Sequence, residues 1–253
     1  MVVEQIVTRL AGRKIRGRLP QFLGMMLLVL VGSGFFVTLY TIVLSYNEKA
    51  DDFFRSQNYA DVTFYGEFSE EDVAKALKVE GVSRAQGRRV QDFRENDVVL
   101  RVISLTEDVN VPYLHEGRMP AFGDECLVIR QYAAAKYLSL GDLVAVGGRE
   151  LRICGIVSSP EYVYLVQSAR MPMAPKDRFG VIFVLDSGGP GLMPNGYNEI
   201  VAVGDVLDTA SAIERQVGAN RSVLLKDQLN YSMYRMDLDQ IKLDPDIVRS
   251  VSA

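Results

Sequence analysis

No charged residue stands between Arg18 and Glu48, and the run 22–46 is dominated by Leu, Val, Ile, Phe, Met and Gly. A helix rises about 1.5 Å per residue, so this run exceeds the roughly 20 residues that cross a hydrocarbon core about 30 Å thick. A transmembrane helix is therefore expected over 19–47. Ahead of it, Val3, Ile6, Val7 and Leu10 recur at helical spacing beside the cationic Arg9, Arg13 and Arg16. Residues 1–18 read as a basic amphipathic segment at the cytoplasmic or interfacial side, or as a frayed basic tail that only sets topology. Gly12, Gly17 and Pro20 predict a bend into the span, while Gly24, Gly32 and Gly34 offer a small-residue face to a second helix or reflect composition alone. After the span, 45–57 is free of Gly and Pro. The helix is expected to continue as a stalk, 48–58, and to end at Asn58.

Beyond the stalk the periods shorten. Residues 61–66 alternate as a half-buried strand does, and Ser69 with Asp72 three positions later predicts a capping box opening a short helix with Val73 and Leu77 inward. Gly81 punctuates the chain before two β-rich runs, 82–93 and 98–105, joined as a hairpin by the polar turn 94–97. Strands follow at 125–130, 143–146 and 151–157, with helical turns at 131–137, a turn at Gly141-Asp142 and a hairpin turn at Gly147-Gly148. The stretch 160–176 holds three prolines and several aromatics. It reads as a surface connection carrying Tyr162 and Tyr164 rather than a regular element. Strands are expected at 179–185, 199–203 and 222–225, and a helix at 206–217 from the spacing of Ala210, Ile213 and Val217. The fold class is thus α+β: one N-terminal transmembrane helix with a stalk, then two small α+β units flanking a β-rich subdomain, over 59–226. Residues 227–253 form a C-terminal segment, in which 238–251 is too polar to span.

Composition changes the picture mainly at the N-terminus. The 253-residue chain has a formal charge of -4, but Arg9, Arg13, Lys14, Arg16 and Arg18 face only Glu4 in the first eighteen residues. The positive-inside rule then puts this flank in the cytoplasm and the main domain outside it. A cleaved signal peptide is the competing reading; its apolar core is usually only about 7 to 15 residues, and no small-residue cleavage site closes this run. Cys126 and Cys154 fit neither a disulfide scaffold nor a paired-CxxC zinc site, which leaves two buried thiols or one disulfide. His115 is the sole histidine, and beside turn residues it reads as structural. No GxxxxGK[ST] sequence is present, so nucleotide phosphates have no P-loop here, and the glycine-rich loop at Gly188, Gly189 and Gly191 is a connector. The acidic pairs Glu70-Glu71 and Asp51-Asp52 read as solvated charge. No catalytic, cofactor-binding or metal-binding residue is expected, and no nucleic-acid partner.

The segment His115-Glu116-Gly117-Arg118-Met119-Pro120, then 125–130, then Leu140-Gly141-Asp142-Leu143-Val144 and Gly155-Ile156-Val157 follow one another in an order and spacing that resemble the MacB-like periplasmic core domain of FtsX-like ABC-transporter permeases. The basic N-terminal segment, span, stalk and strand beginning at Ala60-Asp61-Val62 follow the same layout. The resemblance implies an outer domain that performs no chemistry and is moved, through membrane helices, by an ABC ATPase in the cytoplasm. It also implies three further spans after the core domain, expected from a longer polypeptide or from a second permease.

The function expected is therefore an ABC transporter permease subunit, or the N-terminal portion of one, coupling ATP hydrolysis by a partner to export or mechanical signalling. Its setting would be the bacterial plasma membrane, with membrane lipid around the single span. The alternative is a stand-alone membrane-anchored extracytoplasmic binding module that uses Tyr162, Tyr164 or the loop 188–198 as a contact surface. A tethered hydrolase comes third.

Overall fold

The computed structural model describes residues 2–167, 175–185, 192–206, 208–228 and 230–233, with side chains described from residue 18 onward except 19 and 42–51. The loop 186–191, the stretch 234–253 and the side chains of the basic segment 2–17 thus lie outside the description. The chain divides into two compact units, Met1–Ala50 and Asp51–Ala253.

The first unit is helical. Helix α1 runs Val2–Ser56 and continues through Pro20, so the basic segment and the span belong to one unbroken helix. Proline removes one amide donor and crowds the carbonyl four residues back, but apolar helices tolerate this loss where neighbouring groups absorb it. Within α1, Pro20–Thr41 is 22 residues long with a mean hydropathy of 2.3 and none of it buried. Its hydroxyls bond inward: Thr38 Oγ1 donates to Gly34 O at 2.8 Å and Thr41 Oγ1 to Val37 O at 2.9 Å. Such bonds satisfy the threonine hydroxyls in an apolar surround.

The second unit has two lobes. The small lobe is an antiparallel sheet of β1 (Val62–Phe68), β2 (Val82–Arg88), β10 (Tyr197–Gly204) and β11 (Arg221–Leu224) in the order β11-β1-β10-β2. Helices α2 (Glu70–Leu77) and α4 (Ala210–Val217) cover one face. Side chains alternate across a strand, so Val62, Phe64, Ala85, Ile200 and Ala202 meet Ala76, Ile213 and Val217 in one apolar core. The capping box forms as read, Ser69 taking the Asp72 amide and Asp72 the Ser69 amide. Val73 packs on this core, but Ala76 is buried and Leu77 stands 45% exposed. The three-residue step brings Ala76 under the sheet, and the next position turns out.

The large lobe is a seven-stranded sheet ordered β3-β4-β9-β6-β8-β5, with β7 also on β8. Its strands are β3 (Val90–Glu95), β4 (Val98–Ser104), β5 (Tyr113–Gly117), β6 (Glu125–Ile129), β7 (Leu143–Val146), β8 (Arg149–Ser158) and β9 (Phe179–Val184). β4 runs parallel to β9 and β6 parallel to β8. All residues of β6 and β9 are buried, with α3 (Arg130–Lys136) set against them through Tyr132 and Ala133.

The mixed α+β class with an N-terminal apolar helix and a β-rich domain is the one expected. The two small α+β segments that flank the β-rich part in sequence join in space as one sheet. The run 82–93, read as one strand, divides at Arg89, because β2 pairs with β10 while β3 pairs with β4. Strand β5 had no counterpart in the reading. The connection after Ser159 contains a 3-10 turn, Pro160–Tyr162, and helix α4 begins four residues later than expected. Both cysteines are free and buried, which settles the disulfide alternative: Cys154 Sγ donates to Cys126 O at 3.3 Å.

Candidate functional site

The small sheet has a second face. Thr63 and Tyr65 of β1, Gln86 and Arg88 of β2, and Glu199 and Val201 of β10 stand in register across it. It is mostly polar where the helix-covered face is apolar, and it looks toward the large lobe. Among the described residues the two lobes therefore meet at a seam with little apolar content beyond a small cluster of Ala60, Val109 and Val201.

Arg88 holds the centre. Glu199 is its cross-strand partner, accepting from Nε at 2.7 Å and standing 2.6 Å from Nη2. Glu161, in the 3-10 turn of the large lobe, takes the two ends of the guanidinium, from Nη1 at 2.5 Å and from Nη2 at 2.7 Å. The Arg88 side chain is 5% exposed and both glutamates 12%. Burial works against the guanidinium charge, but Glu161 and Glu199 overcome it, so its pKa stands well above the ordinary arginine value. A planar fork suits this bidentate geometry in a way that lysine does not.

Smaller bonds line the same seam. Asn198 of β10 bonds both backbone groups of Val90, at 2.8 and 2.7 Å. Gln86 Oε1 accepts from the amides of Asp108 and Val109, and Asn110 Oδ1 from that of Ala60. Alongside lies a cleft of about 620 Å³ bordered by Tyr65, Arg88, Arg101, Glu161, Arg221 and Gln228. Arg101 is engaged by both oxygens of Asp92, at 2.7 and 2.8 Å, and Arg221 lies over the Tyr65 ring at 4.7 Å. Burial, and then Glu199, push the Tyr65 hydroxyl up to about 12. The central carboxylates are thus occupied by guanidinium, an arrangement that holds two bodies together rather than presenting a free base or nucleophile.

A second feature lies where the end of α1 meets the 230–233 turn. Phe54, in the last turn of α1, is stacked on Tyr59 at 5.4 Å and meets Tyr231 edge-on at 5.7 Å. Tyr231 belongs to a helical turn at 230–233. Next to it Asn230, 7% exposed, donates to Glu161 O at 2.7 Å and Tyr164 O at 2.6 Å and accepts from Tyr164 N at 3.1 Å.

The residues offered as a contact surface fare differently. Tyr162 is buried at 9% exposure, with its hydroxyl accepting from Arg101 at 3.3 Å, so it presents no face to a partner. Tyr164 is half-buried and bound by Asn230. Of the loop 188–198, residues 188–191 lie outside the described residues, while Leu192 is buried and Asn198 is bonded to Val90. His115 bonds Ser158 Oγ at 2.8 Å on the β5–β8 pair. Sequence reasoning missed Arg88, Glu161, Glu199 and Asn230, because their partners stand 73, 111 and 69 positions away.

The fold and seam define a class: a two-lobed α+β domain joined to an apolar helix long enough to cross a membrane. No family model and no curated protein matches the chain. Among solved structures it is similar to the extracellular domain of the noncanonic ABC-type transporter YknZ from Gram-positive bacteria, at a TM-score of 0.39 and 14% identity, over 62% of this chain and 90% of that one. It is also similar to the periplasmic region of MacB from Actinobacillus actinomycetemcomitans, at a TM-score of 0.40 and 14% identity, over 70% of this chain and 91% of that one.

Proposed function

We propose that the chain is a permease subunit of an ABC transporter in a bacterial plasma membrane, with its N-terminus cytoplasmic and its two-lobed domain outside. In this reading the domain performs no catalysis; it couples ATP hydrolysis by a partner ATPase to export or to mechanical signalling. Further permease helices, from this or a second polypeptide, complete the membrane part. The ordered motif series from Gly117-Arg118 to Gly155-Ile156-Val157 supports this. The observation that carries it is the contact of Phe54 with Tyr231. The last turn of α1, which continues from the apolar helix, and the 230–233 turn meet at one corner of the domain, so in this reading motion of the membrane helices reaches the domain there. A stand-alone binding module has no need of that arrangement, and the burial of Tyr162 removes one surface it would use.

The test is affinity purification of the tagged chain from gently solubilised membranes at native expression, with mass spectrometry of what co-purifies and a variant keeping only residues 1–58 as control. An ABC ATPase or a multi-span permease is expected with the full chain and not with the control. A clean full-chain eluate would overturn the reading.

A further inference from the structure

We propose that Asn230, Glu161 and Arg88 form a relay by which the 230–233 turn controls how tightly the two lobes are closed. The argument begins with what holds the seam. The large-lobe core and the small-lobe core are separate apolar clusters, and between them stand mainly hydrogen bonds and the Arg88 ion pairs. Buried ion pairs add little net stability over apolar contacts of the same volume, but breaking one is costly. They therefore suit a joint that has two discrete states better than one that is simply strong.

The two carboxylates on Arg88 are not equivalent. Glu199 is locked beside Arg88 by the β2–β10 ladder within one lobe. Glu161 belongs to a short 3-10 turn of the other lobe. Opening the seam separates Arg88 from Glu161 and leaves the Glu199 pair intact, so a guanidinium is never stranded without a counter-ion.

The position of Glu161 depends on the 230–233 turn. Its own side chain reaches Arg88, while its carbonyl and both backbone groups of Tyr164 are held by Asn230. Ser159 Oγ caps the turn from behind through the Glu161 amide at 3.3 Å. Asn230 precedes Tyr231, whose ring is anchored on Phe54 and Tyr59. A displacement of the 230–233 turn thus acts directly on the backbone of Glu161 and Tyr164. The relay deepens the mechanical reading above and rests on it only for the source of the displacement.

The experiment is hydrogen exchange by mass spectrometry on the full chain in lipid nanodiscs, with no ATPase present, so that it reads the relay and not the transporter assignment. Asn230→Ala removes three hydrogen bonds. The amides of Ala60, Val90, Asp108 and Val109, which bond side chains across the seam, are expected to exchange about tenfold faster, with those of β6 and β9 unchanged. Glu161→Gln keeps the carbonyl that Asn230 holds and removes the charge that Arg88 grips; the same seam amides should accelerate by a similar factor. If Asn230→Ala does not fold, Glu161→Gln carries the test. Seam exchange at the wild-type rate in folded Asn230→Ala, whatever Glu161→Gln does, overturns the relay, as does acceleration spread equally through β6 and β9.

Discussion

The rings of Phe54 and Tyr231, 177 positions apart in sequence, lie 5.7 Å apart at an interplanar angle of 73°. Edge-to-face geometry directs the positive rim of one ring at the negative face of the other, worth about 0.5–1.5 kcal/mol beyond area burial. A double-mutant cycle with Phe54→Ala and Tyr231→Ala, read by urea unfolding in nanodiscs, should return a coupling of that size. Phe54 is 8% exposed, so its truncation alone should cost about 3–5 kcal/mol through lost burial and the cavity left behind.

Arg88 supplies a sharper test of the seam. Arg88→Met strands Glu161 and Glu199 at 12% exposure each, and removal of one partner from a buried network costs about 3–5 kcal/mol. Changing Glu161 and Glu199 to Leu in the same chain should recover most of that loss, because the desolvated charges go with them. Arg88→Lys should recover less, since one ammonium cannot bridge both carboxylates as the fork does.

Glu125 ties stability to acid. Arg118 grips both its oxygens, and the amides of Ala121 and Phe122 donate to it. The Arg118 hydrogen bonds first, and then those amides, lower its pKa from the ordinary 4.5 to about 2. A depressed carboxylate pKa means the native state holds the charged form more strongly than the unfolded chain does. The stabilisation is therefore complete above about pH 4.5 and is lost as pH falls toward 2. Glu125→Gln should be less stable than the wild type at pH 7 and equal to it near pH 2 in urea titrations at both values.

Gly117 and Gly141, two glycines of the motif series, separate backbone strain from steric exclusion. Gly117 has φ +83° and a Cβ there would stand 2.2 Å from Cys154 O, whereas Gly141 has φ +90° with open space around it. Gly141→Ala should cost about 1 kcal/mol through the left-handed backbone alone. Gly117→Ala adds a clash with the β8 backbone and should cost about 3 kcal/mol or more. The difference in urea midpoints between the two variants is the measurement.

Much of this architecture is local and so was legible. Ser69 and Asp72 announce the start of α2 because both caps are satisfied within four residues. Asn96, with φ 54°, turns β3 into β4, and Gly147-Gly148 turn β7 into β8, because those residue types reach the left-handed region at little cost. Leu77 was misplaced because helical period alone does not say how wide a stripe the sheet covers. The division at Arg89 was invisible because adjacent strands of similar composition carry no mark of the sheet each will join.

The sequence by itself determined the apolar helix, the existence and type of most elements of the outer domain, and the ordered series of turns, since each follows from periodicity, charge or backbone preference over a few residues. Only the tertiary structure decided that the first and last strands share one sheet, that Tyr162 is buried, that Cys126 and Cys154 stay thiols, and that Arg88 faces Glu161 across the seam. Those outcomes depend on which groups long-range pairing brings together to be desolvated, and the energy of a contact between positions 88 and 161 has no counterpart in the pattern around either residue.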